Sequence, residues 1–139
     1  MKNSILGVFA IATLVLALAS CNKYEEGPAM SLRSKKGRLA GDWKLTEVKV
    51  NGAVQNISGM TIQMKIEKDG KYTSTYTMGS FSGTETGKWE FYDKKTKLIT
   101  TPDASPTSKD TTTILMLKNK MLKFKDVDGS NTTESTYEQ

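Results

Sequence analysis

Two hydrophobic patterns divide the chain. Near the N-terminus, the residues from Ile5 to Ala19 are almost continuously apolar. From Gly41 onward, apolar and polar residues alternate in short segments separated by turn-forming residues. Strict alternation predicts β-strands with one buried and one solvated face, because successive side chains of a strand point to opposite sides. No stretch of this part carries the 3.6-residue apolar repeat of a helix, so the sequence predicts an all-β domain.

The alternating region predicts eight or nine antiparallel strands joined by short connections. Asn51-Gly52 and Asp69-Gly70 are strong hairpin signals, and residues 51–59 are predicted to be a connection or one helical turn. Such a sheet must close or fold onto itself to hide its apolar face and its edges. The sequential order favours a small up-and-down eight-stranded barrel, with a two-sheet β-sandwich as the alternative. The predicted strands are residues 42–50, 60–68, 71–78, 81–86, 87–92, 97–101, 111–118, 121–127 and 132–138.

The N-terminal apolar run predicts an export signal. Its length is below the roughly 20 residues of a membrane-spanning helix and fits the roughly 7–15 residues of a signal peptide. The following Leu18-Ala19-Ser20-Cys21 resembles the lipobox of bacterial lipoproteins. The resemblance implies that residues 1–20 are removed and that the thiol of Cys21 carries the lipid. Residues 21–38 then form a flexible tether, and residues 39–139 form the barrel domain.

Composition narrows the function classes. The chain has 20 basic and 15 acidic residues, a net charge of +5. Removal of the signal with Lys2 leaves 19 − 15 = +4. The lysines are scattered, so we expect no nucleic-acid partner. There is no histidine and a single cysteine, which excludes conventional hydrolase triads and zinc sites. No catalytic constellation emerges, so we expect no enzymatic activity, cofactor or metal.

One segment has the spacing of a calcium loop. Residues 126–131 place oxygen-bearing side chains at alternate positions, but Tyr137 stands where such a loop needs a bidentate acid. We therefore interpret the segment as a hairpin turn.

Two Gly-x-Trp motifs carry a family resemblance. Gly41-Asp42-Trp43 opens the first strand, and Gly87-Lys88-Trp89 lies in the middle of the domain. Gly-x-Trp at a first strand is similar to the signature of lipocalins and calycins. Together with the lipobox and tether, the motif order over roughly residues 39–138 resembles the lipocalin-like domain lipoproteins of bacteroidetes-type bacteria.

The resemblance has structural implications. Trp43 would plug the closed end of a calycin-like barrel, and a basic residue on a late strand, Lys123 or Lys125 by position, would pack against it. The protein would be lipid-anchored in the outer membrane, facing the periplasm or the cell surface.

Two functions remain open for the inward-facing side chains. In the first, these side chains line a pocket for a small apolar or amphipathic ligand, where flexible methionines adapt to the shape of the ligand and tyrosine hydroxyls orient it. Alternatively, they only fill the core, and the protein is a structural or interaction lipoprotein that contacts another envelope protein. The candidate ligand-binding residues are Met64, Tyr72, Tyr76, Met78, Trp89 and Phe91. The wider inward set adds Met60, Ile62, Ile66, Leu98, Leu115, Leu117, Leu122 and Phe124.

Overall fold

A computed structural model describes Tyr24 and residues 32–139. The predicted export signal, residues 1–20, and the predicted lipidation site, Cys21, lie outside the described residues and stay predictions. Among the residues described, no helix is long and apolar enough to cross a bilayer.

The described residues form one short α-helix and nine β-strands. Helix α1 (Lys35–Leu39) begins after Ser34, whose hydroxyl accepts a hydrogen bond from the Gly37 N–H at 3.0 Å. This satisfies one of the backbone donors that a helix start leaves unpaired. A single 3₁₀ turn, Asp93–Lys95, follows the fifth strand. The strands are β1 (Gly41–Val50), β2 (Ala53–Val54), β3 (Met60–Ile66), β4 (Lys71–Met78), β5 (Phe81–Tyr92), β6 (Lys97–Pro102), β7 (Asp110–Leu117), β8 (Met121–Asp128) and β9 (Asn131–Glu138).

The strands close into a barrel. Each strand pairs antiparallel with its neighbour in the order β2-β1-β3-β4-β5-β6-β7-β8-β9, and β1 also pairs with β9. Eight strands therefore form a continuous ring, and β2 is an extra strand on the edge of β1. A bulge between Leu45 and Glu47 lets β1 bend from its pairing with β3 toward β9. The up-and-down barrel is confirmed and the two-sheet sandwich is wrong, because the β1–β9 pairing leaves no second sheet.

One strand prediction and one connection prediction were wrong in detail. The predicted strands 81–86 and 87–92 are the single strand β5, because Gly87 lies opposite Tyr72 and does not interrupt the ladder. Residues 51–59 contain the short strand β2, which follows a turn with positive φ at both Asn51 and Gly52. This is the geometry of a type I′ hairpin. At Asp128–Asn131 the predicted hairpin turn is confirmed.

The hairpin topology gives the barrel two distinct ends. The closed end consists of α1 and the connections 67–70, 93–96 and 118–120. The mouth consists of the connections 51–59, 79–80, 103–109 and 129–130.

The core fills the closed end. Trp43 is 1% exposed and donates its indole N–H to the carbonyl oxygen of Leu39 at 2.8 Å. Trp89 donates its indole N–H to the carbonyl of Glu67 at 3.0 Å. Trp43 therefore plugs this end, as the resemblance implied. The buried residues packed with them are Tyr24, Leu39, Ile66, Tyr72, Leu98, Ile114, Leu117, Leu122 and Phe124.

Part of the predicted tether packs against the barrel. Arg38 and Leu39 of α1 are buried, and Tyr24 is only 7% exposed in the core cluster. The Lys35 Nζ lies 4.1 Å from the centroid of the Tyr24 ring, a cation–π contact. Burial of these aromatic and aliphatic side chains holds both Tyr24 and α1 against the barrel, so residues 21–38 are not a flexible linker throughout.

The two lysines of the late strand β8 do not pack against Trp43. Lys123 and Lys125 alternate with Leu122 and Phe124, which face the core, so both lysines occupy outward positions of β8. The basic group found at a closed-end tryptophan belongs to α1, where the Lys36 Nζ lies 5.9 Å from the Trp89 ring.

Candidate ligand-binding cavity

A cavity of about 190 Å³ lies inside the barrel on the mouth side of its core and is partly open to solvent. Inward-facing side chains of β3 to β9 line it, because each strand presents every second residue to the interior. The lining residues are Met64, Tyr72, Ser74, Glu85, Leu98, Thr100, Thr112, Phe124, Asp126, Ser135 and Tyr137.

The lining is apolar at the floor and polar along the wall. Phe124 and Tyr137 meet edge to face in the floor, with ring centroids 5.9 Å apart. On each of these strands, the residue two positions nearer the mouth is polar: Asp126 follows Phe124, and Ser135 precedes Tyr137. The same step leads from Leu98 to Thr100 on β6. The cavity therefore presents an apolar base beneath a ring of oxygen atoms.

Two hydroxyl groups of the lining donate to two carboxylates. The Tyr72 hydroxyl donates to Glu85 Oε1 at 2.6 Å, and the Thr112 hydroxyl donates to Asp126 Oδ1 at 2.6 Å. Burial raises the pKa of Tyr72 above its ordinary value, and the hydrogen bond to Glu85 raises it further. Burial, with the nearby charge of Asp126, raises the pKa of Tyr137 to about 12. Both phenols are consequently neutral at physiological pH.

The charged side chains that line the cavity are acidic. The lining contains two acidic side chains and no lysine or arginine. In the described barrel strands the lysines occupy outward positions, since each alternates with a residue that faces the interior. Within the described residues, no three acidic or cysteine side chains group as a metal site.

A larger groove lies on the outer wall and differs in character. It measures about 370 Å³ and lies where β1 parts from β3, beside the C-terminal Gln139. Outward-facing Lys44, Gln63 and Lys65 border it. The interior cavity is the better candidate site, because polar side chains from six strands, β4 to β9, converge on it above an apolar floor.

Comparison with known families supports this architecture. The sequence model of the lipocalin-like domain family matches residues 39–124 of the chain. The chain belongs to the lipocalin-like domain family. A crystal structure of a lipocalin-like protein from Bacteroides uniformis ATCC 8492 superposes with a TM-score of 0.57 at 16% sequence identity. The alignment covers 74% of this chain and 99% of that chain, and at this identity it shows a shared fold. Comparison with curated proteins gives no match.

Four of the six predicted ligand-binding residues lie outside the cavity of this lipocalin-like domain. Met64 and Tyr72 line it. Tyr76 faces inward nearer the mouth, with its ring centroid 5.8 Å from that of Phe81. Met78 is 55% exposed at the rim, so it borders the entrance.

The other two predicted residues belong to the plug. The Trp89 and Phe91 rings pack edge to face with centroids 5.4 Å apart, within the closed-end core. Their position late in β5 places them below the cavity, because β5 runs from the mouth to the closed end. They support the floor and do not line the site.

Sequence reasoning missed the two acidic side chains of the lipocalin-like cavity. Glu85 has the same parity along β5 as Trp89, and Asp126 has the same parity along β8 as Phe124. The alternation that identified the inward-facing aromatic residues therefore also pointed to these carboxylates. A search for apolar side chains alone passed over them.

Proposed function

We propose that the protein is a lipid-anchored, non-enzymatic binding protein of the outer membrane whose barrel holds a small amphipathic molecule. The interior cavity, with its apolar floor and polar wall, is the observation that carries this proposal. Ligand sites are typically apolar with a few convergent polar groups. Its 190 Å³ corresponds to about six water molecules at roughly 30 Å³ each, so the ligand is small or extends toward the mouth.

A cavity-filling variant tests ligand binding. Ser74 lines the cavity, and Thr77 faces outward on the same strand. We expect Ser74→Leu to weaken binding of the neutral apolar dye N-phenyl-1-naphthylamine at least tenfold, and Thr77→Leu to leave it unchanged. Dye titration and native mass spectrometry of residues 21–139 measure this. Equal dye affinity in the two variants, or no binding by the unaltered chain, contradicts the proposal.

The position of Tyr24 supports an anchoring geometry. Tyr24 is buried at the closed end and follows Cys21 by three residues. Three residues reach at most about 10 Å, so a lipid on Cys21 holds the closed end near the bilayer and directs the mouth away. Two or three acyl chains make such attachment stable.

The charges at the two ends support the same orientation. An anionic bilayer surface attracts lysines with about 1 kcal/mol each when they lie close to it. The closed-end connections hold five lysines against three acidic residues, and the mouth holds four aspartates against one lysine. At the closed end these are Lys68, Lys94, Lys95, Lys118 and Lys120 against Glu67, Asp69 and Asp93, and at the mouth they are Asp103, Asp110, Asp126 and Asp128 against Lys109.

Metabolic labelling tests the anchor. Cys21→Ser should abolish incorporation of radioactive palmitate, because the proposed acyl carrier is this thiol. Undiminished labelling refutes the anchor. Protease treatment of intact cells then distinguishes a surface-exposed domain, which is digested, from a periplasmic one, which is protected.

Exposed apolar side chains at the mouth favour a second candidate function. Val54, Met78, Phe81 and Val127 are 55–65% exposed there, and clustered apolar surface commonly marks an interaction site. In this case the protein is a structural or interaction lipoprotein that contacts an envelope protein through its rim. Comparison of Ser74→Leu with the unaltered chain separates the two functions, since binding of the dye to the apolar rim alone is insensitive to filling of the interior.

A further inference from the structure

The wall of the cavity offers more acceptors than donors. Glu85 on β5 and Asp126 on β8 each accept one hydrogen bond, from Tyr72 and Thr112 respectively. A carboxylate has about four acceptor positions, so each retains capacity for a further donor. The two hydroxyl donors, by contrast, are already directed at these carboxylates. The hydroxyls of Tyr137, Ser74, Thr100 and Ser135 also line the cavity and can donate or accept.

Within the part of the chain that the structure describes, no basic side chain lines the cavity to balance these carboxylates. The ion pairs of the strands lie on the outer surface, for example Lys65 with Glu67 at 3.3 Å and Lys109 with Glu90 at 3.9 Å. Glu85 and Asp126 are solvent-exposed in the part of the wall nearer the mouth. An anionic ligand that enters there would meet two like charges, and a cation would meet two opposite charges.

The floor also suits a cation with an apolar body. The rings of Tyr72, Phe124 and Tyr137 border the same space. Aromatic faces attract alkylammonium groups within about 6 Å of the ring centroid, and they bury attached methylene groups as well. The acidic mouth adds long-range attraction that raises the local concentration of a cation.

We propose that the cavity selects a cationic amphiphile, a small molecule with a protonated amine or quaternary ammonium group on an apolar body. The ammonium group lies between Glu85 and Asp126, and the apolar body rests on the floor of Phe124, Leu98 and Met64. This selectivity rests on the proposed ligand binding and adds the chemical class of the ligand.

Three probes of equal chain length test the selectivity. Octylammonium, octanol and octanoate are titrated against residues 21–139 carrying Cys21→Ser, at pH 7, by displacement of the neutral dye. We expect the Kd of octylammonium to be at least tenfold below that of octanol and at least a hundredfold below that of octanoate. This comparison requires no substitution inside the cavity.

Substitution of each carboxylate tests whether Glu85 and Asp126 cause the preference for octylammonium. Glu85→Gln and Asp126→Asn should each weaken octylammonium binding about tenfold and change octanol binding less than twofold. Glu90→Gln is the control, because Glu90 faces outward on the same strand as Glu85. A normal melting temperature verifies that each variant is folded.

The outcomes separate this inference from the proposed function. Equal affinity for the three probes, or preference for octanoate, overturns the charge selectivity and leaves ligand binding intact. Absence of binding by all three probes and the dye overturns ligand binding itself. Selective octylammonium binding that survives both carboxylate substitutions overturns the assignment to Glu85 and Asp126.

Discussion

Two glycines of β5 provide the sharpest test of packing around the cavity. Gly83 and Gly87 both face inward, opposite Tyr76 and Tyr72. A Cβ atom at Gly87 would overlap the backbone carbonyl oxygen of Thr101 as well as the Tyr72 ring. At Gly83, the nearest atoms all belong to the Tyr76 side chain. The same methyl group therefore meets rigid backbone in one position and a movable side chain in the other.

The two substitutions should differ clearly in cost. For Gly87→Ala, the neighbouring strand β6 must shift to relieve the overlap with Thr101, and overpacking of this kind costs about 1–3 kcal/mol. A weakened ladder hydrogen bond adds about 1 kcal/mol, and alanine recovers about 0.5–1 kcal/mol of backbone entropy. We expect a net loss of about 2–3 kcal/mol. For Gly83→Ala, Tyr76 is half-buried near the mouth and can rotate, so we expect a change within about 1 kcal/mol.

Urea denaturation of residues 21–139 with Cys21→Ser, followed by tryptophan fluorescence, measures both changes. With a urea dependence of about 1–3 kcal/mol/M for small proteins, Gly87→Ala should lower the midpoint by roughly 1–2 M. A loss below 1 kcal/mol for Gly87→Ala would refute the reasoning. An equal loss for Gly83→Ala would refute it too, because it would show that backbone contact does not decide the cost.

Three further predictions concern the closed end and the tyrosines. Trp43→Phe leaves the buried Leu39 carbonyl without its donor and should destabilise the fold by about 2–4 kcal/mol in urea titrations; a loss below 1 kcal/mol contradicts it. The pKa of Tyr137 is raised by burial to about 12, above the ordinary value of about 10. Between pH 10 and 12, the folded state therefore keeps the phenol proton of Tyr137 while the unfolded state loses it. The contribution of this group to the free energy of unfolding is fully present below pH 10. It falls between pH 10 and 12, by at most about 1.4 kcal/mol per pH unit. Tyr137→Phe should flatten this alkaline decline, and an unchanged slope argues against it. Tyr24→Ala should release the N-terminal segment and speed tryptic cleavage within α1 at least tenfold without unfolding the barrel; an unchanged cleavage rate shows that Tyr24 does not hold α1.

The course of β5 shows where local signals mislead. The predicted boundary between strands 81–86 and 87–92 falls at Gly87, which with Gly83 is one of two glycines within β5, and glycine is depleted in strand interiors. In the structure, Tyr72 and Tyr76 of β4 lie over them, and a bulkier residue would occupy the same space. The reason for glycine lies on another strand, and nothing within residues 81–92 reveals it.

The N-terminal segment shows a similar limit. A five-residue helix is too short to display a helical repeat, and Gly37 within it resembles a linker residue. Its attachment depends on the Trp43 indole, which reaches back to the Leu39 carbonyl, and on burial of Tyr24. Both contacts form only once the barrel exists.

The alternation of apolar and polar residues determined, by itself, that the domain is all-β and which side chains face inward along its regular strands. This follows because the two-residue period of a strand is local and can be read directly from the sequence. On β7 the register shift after Ile114 places Ile114 in the core instead of the predicted Leu115. Only the tertiary structure decided how that interior is divided. Ring closure by β1 and β9, the plug of Trp43 and Trp89, and the cavity with Glu85 and Asp126 in its wall depend on the relative heights of residues on different strands. That stagger is set by pairing between distant segments, and no periodicity within a single strand encodes it.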